Sequence, residues 1–316
     1  MEWIILAHGD CDGVCSASII LSAKRSAKVV FTNPAELLSG LRLIEAGNII
    51  ITDIAITPAH ADETVSELRR LSSTGEIVYL DHHPLPPGLG LKDLPAKTVE
   101  ARGEACASEL AYVCFKEILD PEISRIAVYG AIGDYSDNTP GINEILKNWD
   151  KRELYLEAGI LIAALEGVKK RDFVFKRSLV EYLSENRLPS ADRNLVEIAL
   201  RESERDEEMR RLVKSLVKTH GRVSYVLNVE WSLGKAATYA RAYGNTIVGV
   251  AAEEQGENID LSLRSVGLSD LHRVASDVAG MLGGIGGGHA NAAGARIPRG
   301  KLLEFVEMLD ERLGAS

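Results

Sequence analysis

Trp3-Ile4-Ile5-Leu6-Ala7-His8-Gly9-Asp10-Cys11-Asp12-Gly13 sets the frame for the rest of the chain. Its first five residues form an apolar run of strand length, and imidazole, glycine and carboxylate follow at once. The pattern recurs twice. Asn48-Ile49-Ile50-Ile51-Thr52 ends at Asp53, and Glu76-Ile77-Val78-Tyr79-Leu80 runs into Asp81-His82-His83. A fourth strand-like run covers residues 28–31, and helical patterns occupy residues 13–25, 35–46 and 58–71 between the runs. Such alternation predicts a parallel sheet with helices on both faces. Ligands of these sheets bind outside the carboxyl ends of the strands, where His8, Asp10, Asp12, Asp53, Asp81, His82 and His83 fall.

Beyond residue 123 the pattern turns mostly helical as far as residue 218, and residues 201–218 mix charge signs densely, as a solvated connecting helix does. Strand patterns return at residues 223–229, 246–251 and 259–264, with helices at 234–242, 269–282 and 301–313. The expected fold class is α/β. An N-terminal parallel-sheet domain (residues 1–150) leads through a helical connector (151–218) to a smaller C-terminal α/β domain (219–316). The 316 residues suit two domains. At 46% hydrophobic and 26% charged, the chain can bury substantial cores. Residues 1–150 hold 12 basic and 22 acidic side chains, a net of −10 that equals the charge of the whole chain. That balance excludes a broadly basic nucleic-acid coat protein and leaves acidity that bound cations could offset. No apolar run approaches the roughly 18–20 residues of a membrane span, so a soluble, cytoplasmic protein without a membrane partner is expected. Four cysteines without CxxC spacing are too few for a disulfide scaffold.

Taken singly, each polar strand end has a plain reading. Asp53 or Asp134 could be a turn residue or helix cap, His8–Gly13 a turn, and Asp81-His82-His83 a solvated strand end. Together they are different. Gly133-Asp134-Tyr135-Ser136-Asp137-Asn138 follows the apolar run of residues 126–132, so four elements deliver carboxylates and imidazoles to one sheet edge. That much negative charge is repulsive unless cations occupy the site. Carboxylates with one or two imidazoles suit manganese, and to a lesser degree magnesium, iron or zinc. The number of groups implies two divalent ions, which can grip a phosphate and activate water. Cys11, expected to point away from Asp10 and Asp12 in an extended segment, reads as a packing residue.

His8–Gly13, Asp53, Asp81-His82-His83 and residues 133–138, in this order, resemble the four motifs of the DHH phosphoesterase superfamily. Gly286-Gly287-Gly288-His289-Ala290-Asn291-Ala292-Ala293-Gly294 resembles the signature of the associated C-terminal domain. The resemblance spans nearly the whole chain. It implies that Asp10, Asp12, Asp53, His82 and Asp134 hold metal, with Asp53 bridging two ions. His8 joins these candidate metal ligands, although many relatives place the histidine four rather than two residues before the first Asp. Asp81 is implied as an orienting partner, and His83 as the histidine that faces the substrate phosphate.

Five glycines around residues 283–288 exceed what a helix cap needs, and no GxGxxG or GxxxxGK[ST] spacing is present. The resemblance makes this segment, with Gly287, Gly288, His289 and Asn291, a loop for the phosphate or sugar of a terminal nucleotide. Arg264 ends a strand where similar proteins place a phosphate-binding arginine; by itself it would read as a surface residue. Lys169-Lys170-Arg171 reads as a solvated helix end or a nucleic-acid contact. The expected activity is metal-dependent phosphodiester hydrolysis from a chain end. The short archaeal RecJ-like exonucleases are the favoured likeness, acting 3′ to 5′ on single-stranded DNA or RNA in repair. The alternatives are a nanoRNase, oligoribonuclease or dinucleotide phosphodiesterase acting on short oligonucleotides, a pyrophosphate or polyphosphate phosphatase, and a non-catalytic replication scaffold. A helicase or a replication or repair protein is the expected protein partner.

Overall fold

The computed structural model describes residues 2–99, 105–169, 171–229, 232–288 and 290–314. The chain divides into two compact units, Met1–Glu202 and Ser203–Ser316.

The first unit alternates as the sequence predicts. Strand β1 (Trp3–Ala7) leads to helix α1 (Cys11–Ala23), β2 (Lys28–Phe31), α2 (Leu37–Arg42), β3 (Asn48–Thr52), α3 (Ala61–Ser72) and β4 (Ile77–Leu80). The two-residue strand β5 (Lys97–Thr98), too short to leave a pattern, completes a five-stranded parallel sheet in the order β2-β1-β3-β4-β5. Helices α4 (Ala107–Phe115), α5 (Ser124–Gly133), α6 (Pro140–Leu146), α7 (Lys151–Glu166) and α8 (Phe173–Ser184) follow.

Both faces of this sheet are covered, so its strands read as continuous apolar runs. Alternation still sorts the side chains. Ile5, Ile50, Val78 and Leu80 join one core with α1, α4, α5, α7 and α8, while Leu6, Ile49, Ile51 and Tyr79 join another with α2 and α3. Helix α1 is buried around most of its circumference, which is why it shows little amphipathic contrast.

Register decides where the site lies. Ala7 pairs with Thr52, and Thr52 with Leu80, so three neighbouring strands end level. The next residue of each is polar: His8, Asp53 and Asp81. The chain also reverses its winding direction here, running from β1 to β2 on one side and then across to β3 on the other. The carboxyl ends of β1 and β3 therefore flank the crevice where open α/β sheets bind ligands.

The division between the units falls inside helix α9 (Arg193–Leu216). The second unit contains a six-stranded mixed sheet in the order β10-β11-β9-β8-β7-β6. Its strands are β6 (Lys218–His220), β7 (Val223–Leu227), β8 (Val248–Gln255), β9 (Asn258–Ser265), β10 (Ile285–Gly288) and β11 (Ala292–Pro298). Only the β7–β8 pair is parallel. Helices α11 (Leu271–Met281) and α12 (Leu302–Gly314) pack on one face, and α10 (Leu233–Gly244) with Met209 and Val213 of α9 packs on the other.

Here the glycine-rich segment departs from expectation. Ile285–Gly288 is the edge strand of the sheet, antiparallel to β11, rather than a loop. The glycines permit this close packing: a Cβ on Gly286 would lie 2.9 Å from the Cα of Ser276 in α11. Strands β10 and β11 escaped the sequence reading because glycine and alanine leave no alternation to detect, and β6 because three polar, exposed residues leave no apolar run. No helix among the described residues is long and apolar enough to cross a membrane.

Candidate metal centre at the sheet edge

The turn after β1 is built by a helix cap. Asp10 is extended, and its Oδ1 accepts the Gly13 amide at 3.0 Å, satisfying one open donor of α1. Cys11 therefore stands in the first helical turn, not in an extended segment. It is buried, and its thiol lies 3.7 Å from the Tyr129 carbonyl. Packing is its role, but helix geometry rather than strand alternation turns it inward.

Asp12 is almost fully buried. Its Oδ2 accepts the Ala107 amide at 2.7 Å and its Oδ1 the Ser108 amide at 2.9 Å, both at the start of α4. A carboxylate at a helix N-terminus is stabilised by those open donors and by the helix dipole. Close packing of α5 protects the arrangement, since a Cβ on Gly130 would sit 2.2 Å from Ser108 Oγ and 2.8 Å from Asp12 Oδ1. Gly130→Ala is expected to cost about 2 kcal/mol by overpacking. Thermal melts of the variant check this, and an unchanged melting temperature would show that α5 yields without strain.

Asp53 adopts the left-handed conformation with φ 58°, which Asp tolerates better than most residues. Its amide donates to Leu80 at 3.0 Å, so the chain turns as soon as β3 ends. The carboxylate faces both neighbouring motifs. Oδ2 lies 3.6 Å from His8 Nδ1, and Oδ1 lies 3.5 Å from His82 Nε2. His8 Nδ1 also lies 2.8 Å from Asp10 Oδ2, and His82 Nδ1 lies 3.7 Å from Asp134 Oδ2.

Asp134 comes from the C-terminal end of α5 rather than from a strand, and Ser136 Oγ donates to its Oδ2 at 3.1 Å. Asp81 and His83 form a separate pair: His83 Nδ1 is 2.8 Å from Asp81 Oδ1, while the Tyr79 hydroxyl is 2.9 Å from Asp81 Oδ2. Ligand atoms of three sets lie within 4.8 Å of one another: Asp53 with Asp81, His82 and His83; His8 with Asp10 and Asp53; Asp12 with His82 and Asp134.

The electrostatics express crowding. Burial and the nearby Asp10 charge push the Asp53 carboxyl well above the ordinary range. Burial also raises Asp12, and burial with the Asp12 charge brings Asp134 up to about 6. Burial works against protonation of His8, but Asp10 and Asp53 outweigh it and push the imidazole up to about 10. Burial likewise opposes ionisation of Asp10, yet hydrogen bonding to His8 holds it below the usual carboxylate range. The protein alone cannot hold all these carboxyls ionised at neutral pH, whereas a divalent cation would favour their charged forms.

The residues fit such a cation. Asp53 Oδ2 is buried with no hydrogen-bond partner, an acceptor left open where nearly all buried oxygens are satisfied. Oxygen donors mixed with imidazoles are a set that divalent ions of intermediate hardness accept.

Lys176 escaped the sequence reading. Helix α8 buries this lysine, and its Nζ donates to the Gly9 carbonyl at 2.5 Å, bracing the turn that carries His8 and Asp10. Tyr79 and Ser136, which orient Asp81 and Asp134, were missed as well. A polar residue among the buried positions of β4 or α8 was the available signal, because such groups need partners.

The remaining candidates belong to the second unit. Gly287 and Gly288 lie on β10, and the Asn291 carbonyl accepts the Ser265 amide at 2.9 Å. Arg264 is opposite Ala292 in the β9–β11 register, with Nη1 donating to Ser262 Oγ at 3.1 Å and to the Leu263 carbonyl at 2.9 Å. His289 lies outside the described residues.

Residues 198–315 match the family model of the DHHA1 domain. No curated protein matches the chain. Among solved structures, RecJ in complex with Mn2+ from Thermus thermophilus superposes with a TM-score of 0.70 at 16% identity, over 100% of this chain and 52% of that one. The chain thus spans about half the length of that protein. A pGpG-specific phosphodiesterase from Vibrio cholerae gives 0.61 at 13% identity, over 100% and 99% of the two chains. An exopolyphosphatase-related protein from Bacteroides fragilis gives 0.58 at 16%, over 99% and 92%. At such identities the likeness is one of fold. Residues 198–315 thus carry a DHHA1 domain, and the motifs ordered along the first unit resemble those of the DHH phosphoesterases on a fold like that of the RecJ structure.

Proposed function

We propose that the protein is a divalent-metal-dependent phosphodiesterase of the RecJ-like kind, removing nucleotides from single-stranded DNA or RNA, with 3′ to 5′ polarity favoured. The observation that carries the reading is Asp53, whose two carboxylate oxygens face His8 on one side and His82 on the other, with Oδ2 lacking any partner. A carboxylate so placed suits a bridge between two ions. In this reading Asp10, Asp12, Asp53, His82 and Asp134 would hold the ions, manganese by preference, and His8 would complete the set beside Asp10.

Bound ions of this class supply Lewis-acid charge and lower the pKa of water. The residues of the chain do the rest. Asp81, held by Tyr79, fixes Nδ1 of His83, so the ring is oriented to face a phosphoryl oxygen as charge develops. Lys176 and the α1 cap keep the turn of residues 8–12 from shifting. In the second unit, Arg264, Gly287, Gly288, His289 and Asn291 are assigned to the terminal nucleotide. A strand edge of small residues leaves backbone amides open to a phosphate.

A second reading has its own support. The match to the pGpG-specific phosphodiesterase covers 99% of that chain, beside 90% of one RecJ exonuclease and 52% of another, which keeps a short-oligonucleotide substrate as the second reading. One assay separates the two: purified protein with manganese and 5′-labelled single strands of DNA and RNA, from dinucleotides to long oligomers. Progressive 3′ shortening of the long strands is expected. Cleavage confined to the shortest oligomers would establish the dinucleotide or nanoRNase reading instead. No cleavage at any length would overturn both and point to a phosphatase or a scaffold.

A further inference from the structure

Tyr135 is the most exposed large hydrophobic side chain among the described residues, at 86% exposure, and it directly follows Asp134. It also has a left-handed backbone, with φ 57°. The reason is the way α5 ends. The Ser136 amide donates to the Ala131 carbonyl at 2.8 Å and the Tyr135 amide to Ile132 at 3.3 Å, which together form a Schellman cap. Glycine is the usual residue at the left-handed position, because a Cβ there is strained. A tyrosine in that place costs stability and hides no apolar surface, so local folding does not account for it.

The turn around it is firmly held. Ser136 is tied to Asp134, the Tyr155 hydroxyl donates to Asp137, and Thr139 donates to Glu109 at 2.6 Å while capping α6. Tyr135 alone of these makes no side-chain hydrogen bond or ring contact among the described residues. Strained conformations that persist without a packing reason concentrate at functional sites. Here the strain fixes an open aromatic ring one residue, about 3.8 Å along the backbone, from a member of the carboxylate cluster.

We propose that Tyr135 is a substrate-binding residue, the stacking platform for a nucleobase or nucleoside of the strand whose phosphate enters the cluster. The inference rests on the phosphodiesterase reading above and deepens it by naming a base-stacking contact. Stacking tolerates any base, so the residue sets affinity for nucleotides without setting sequence.

The test compares wild type, Tyr135→Gly and Tyr135→Phe on a single-stranded oligonucleotide and on the same strand with abasic sites at its terminal positions. Tyr135→Gly is expected to raise KM for the intact strand about tenfold, with much less change in kcat, and to lose most of the preference for intact over abasic ends. Tyr135→Phe should restore both. The glycine variant should also melt about 2–4 °C higher without metal, because the strain is relieved. Higher stability with weaker binding is a combination that a structural role cannot produce. Should wild type cleave the intact strand and Tyr135→Gly match its KM, the stacking assignment alone falls. A wild type inert toward both strands would overturn the phosphodiesterase reading as well.

Discussion

An Asp53→Asn protein is expected to hydrolyse single strands at least roughly 10³-fold more slowly than wild type, about 4 kcal/mol of lost transition-state stabilisation. Without metal it should be no less stable than wild type. Asn keeps the shape and removes the charge on which the proposed bridge depends. The stability side follows from linkage. Burial and Asp10 raise the Asp53 carboxyl in the folded state above its unfolded value. The folded protein therefore holds that proton more tightly than the unfolded chain does. This favours folding below the unfolded pKa, near 3.9, and the benefit is lost as pH rises through the folded value. At neutral pH the buried carboxyl is a burden on the metal-free protein, and the amide removes it. Manganese reverses the order: at 100 times its Kd, a ligand specific to the folded state adds about 2.7 kcal/mol. Melting curves from pH 5 to 8, with and without manganese, check this beside the activity assay. Full activity in the variant would remove Asp53 from the centre.

Asp12→Ala is expected to lose activity to a similar degree, but with the opposite effect on the fold. Asp12 is the acceptor for the Ala107 and Ser108 amides in a buried position. Its truncation leaves two donors without a partner at the start of α4, at about 1–3 kcal/mol each. The metal-free variant should melt roughly 10 °C below wild type. Asp12→Asn keeps acceptor capacity and should recover part of that loss while staying inactive. Two carboxylates of one cluster thus separate by their effect on stability: Asp53 is carried at a cost, whereas Asp12 ties α1 to α4. A stable Asp12→Ala protein would show that water satisfies those amides.

Much of the first unit was legible because its strands are buried on both faces. Apolar runs bounded by polar residues mark their ends to within a residue, as at Ala7, Thr52 and Leu80. The convergence of His8, Asp53 and Asp81 followed from those ends and from the rule for parallel sheets. The second unit was harder to read. In β10 and β11, glycine and alanine replace the alternating side chains that betray a strand, and sheet pairing overrides their weak propensity. The expected loop at residues 285–288 is consequently a sheet edge. Cys11 was assigned to packing by a strand argument, although its burial comes from the first turn of α1.

The sequence by itself determined the parallel α/β frame, the order of the acidic and imidazole motifs, and the accumulation of negative charge that calls for cations. These properties are local, written in residue type and spacing. Only the tertiary structure decided how the parts divide the work, because side-chain partners come from segments far apart in the chain. It joined Asp12 to the start of α4, brought Lys176 to the Gly9 carbonyl and set Tyr79 behind Asp81. It also left one oxygen of Asp53 buried without a partner. Burial and long-range hydrogen bonding depend on which distant surfaces meet, and no spacing along the chain encodes that.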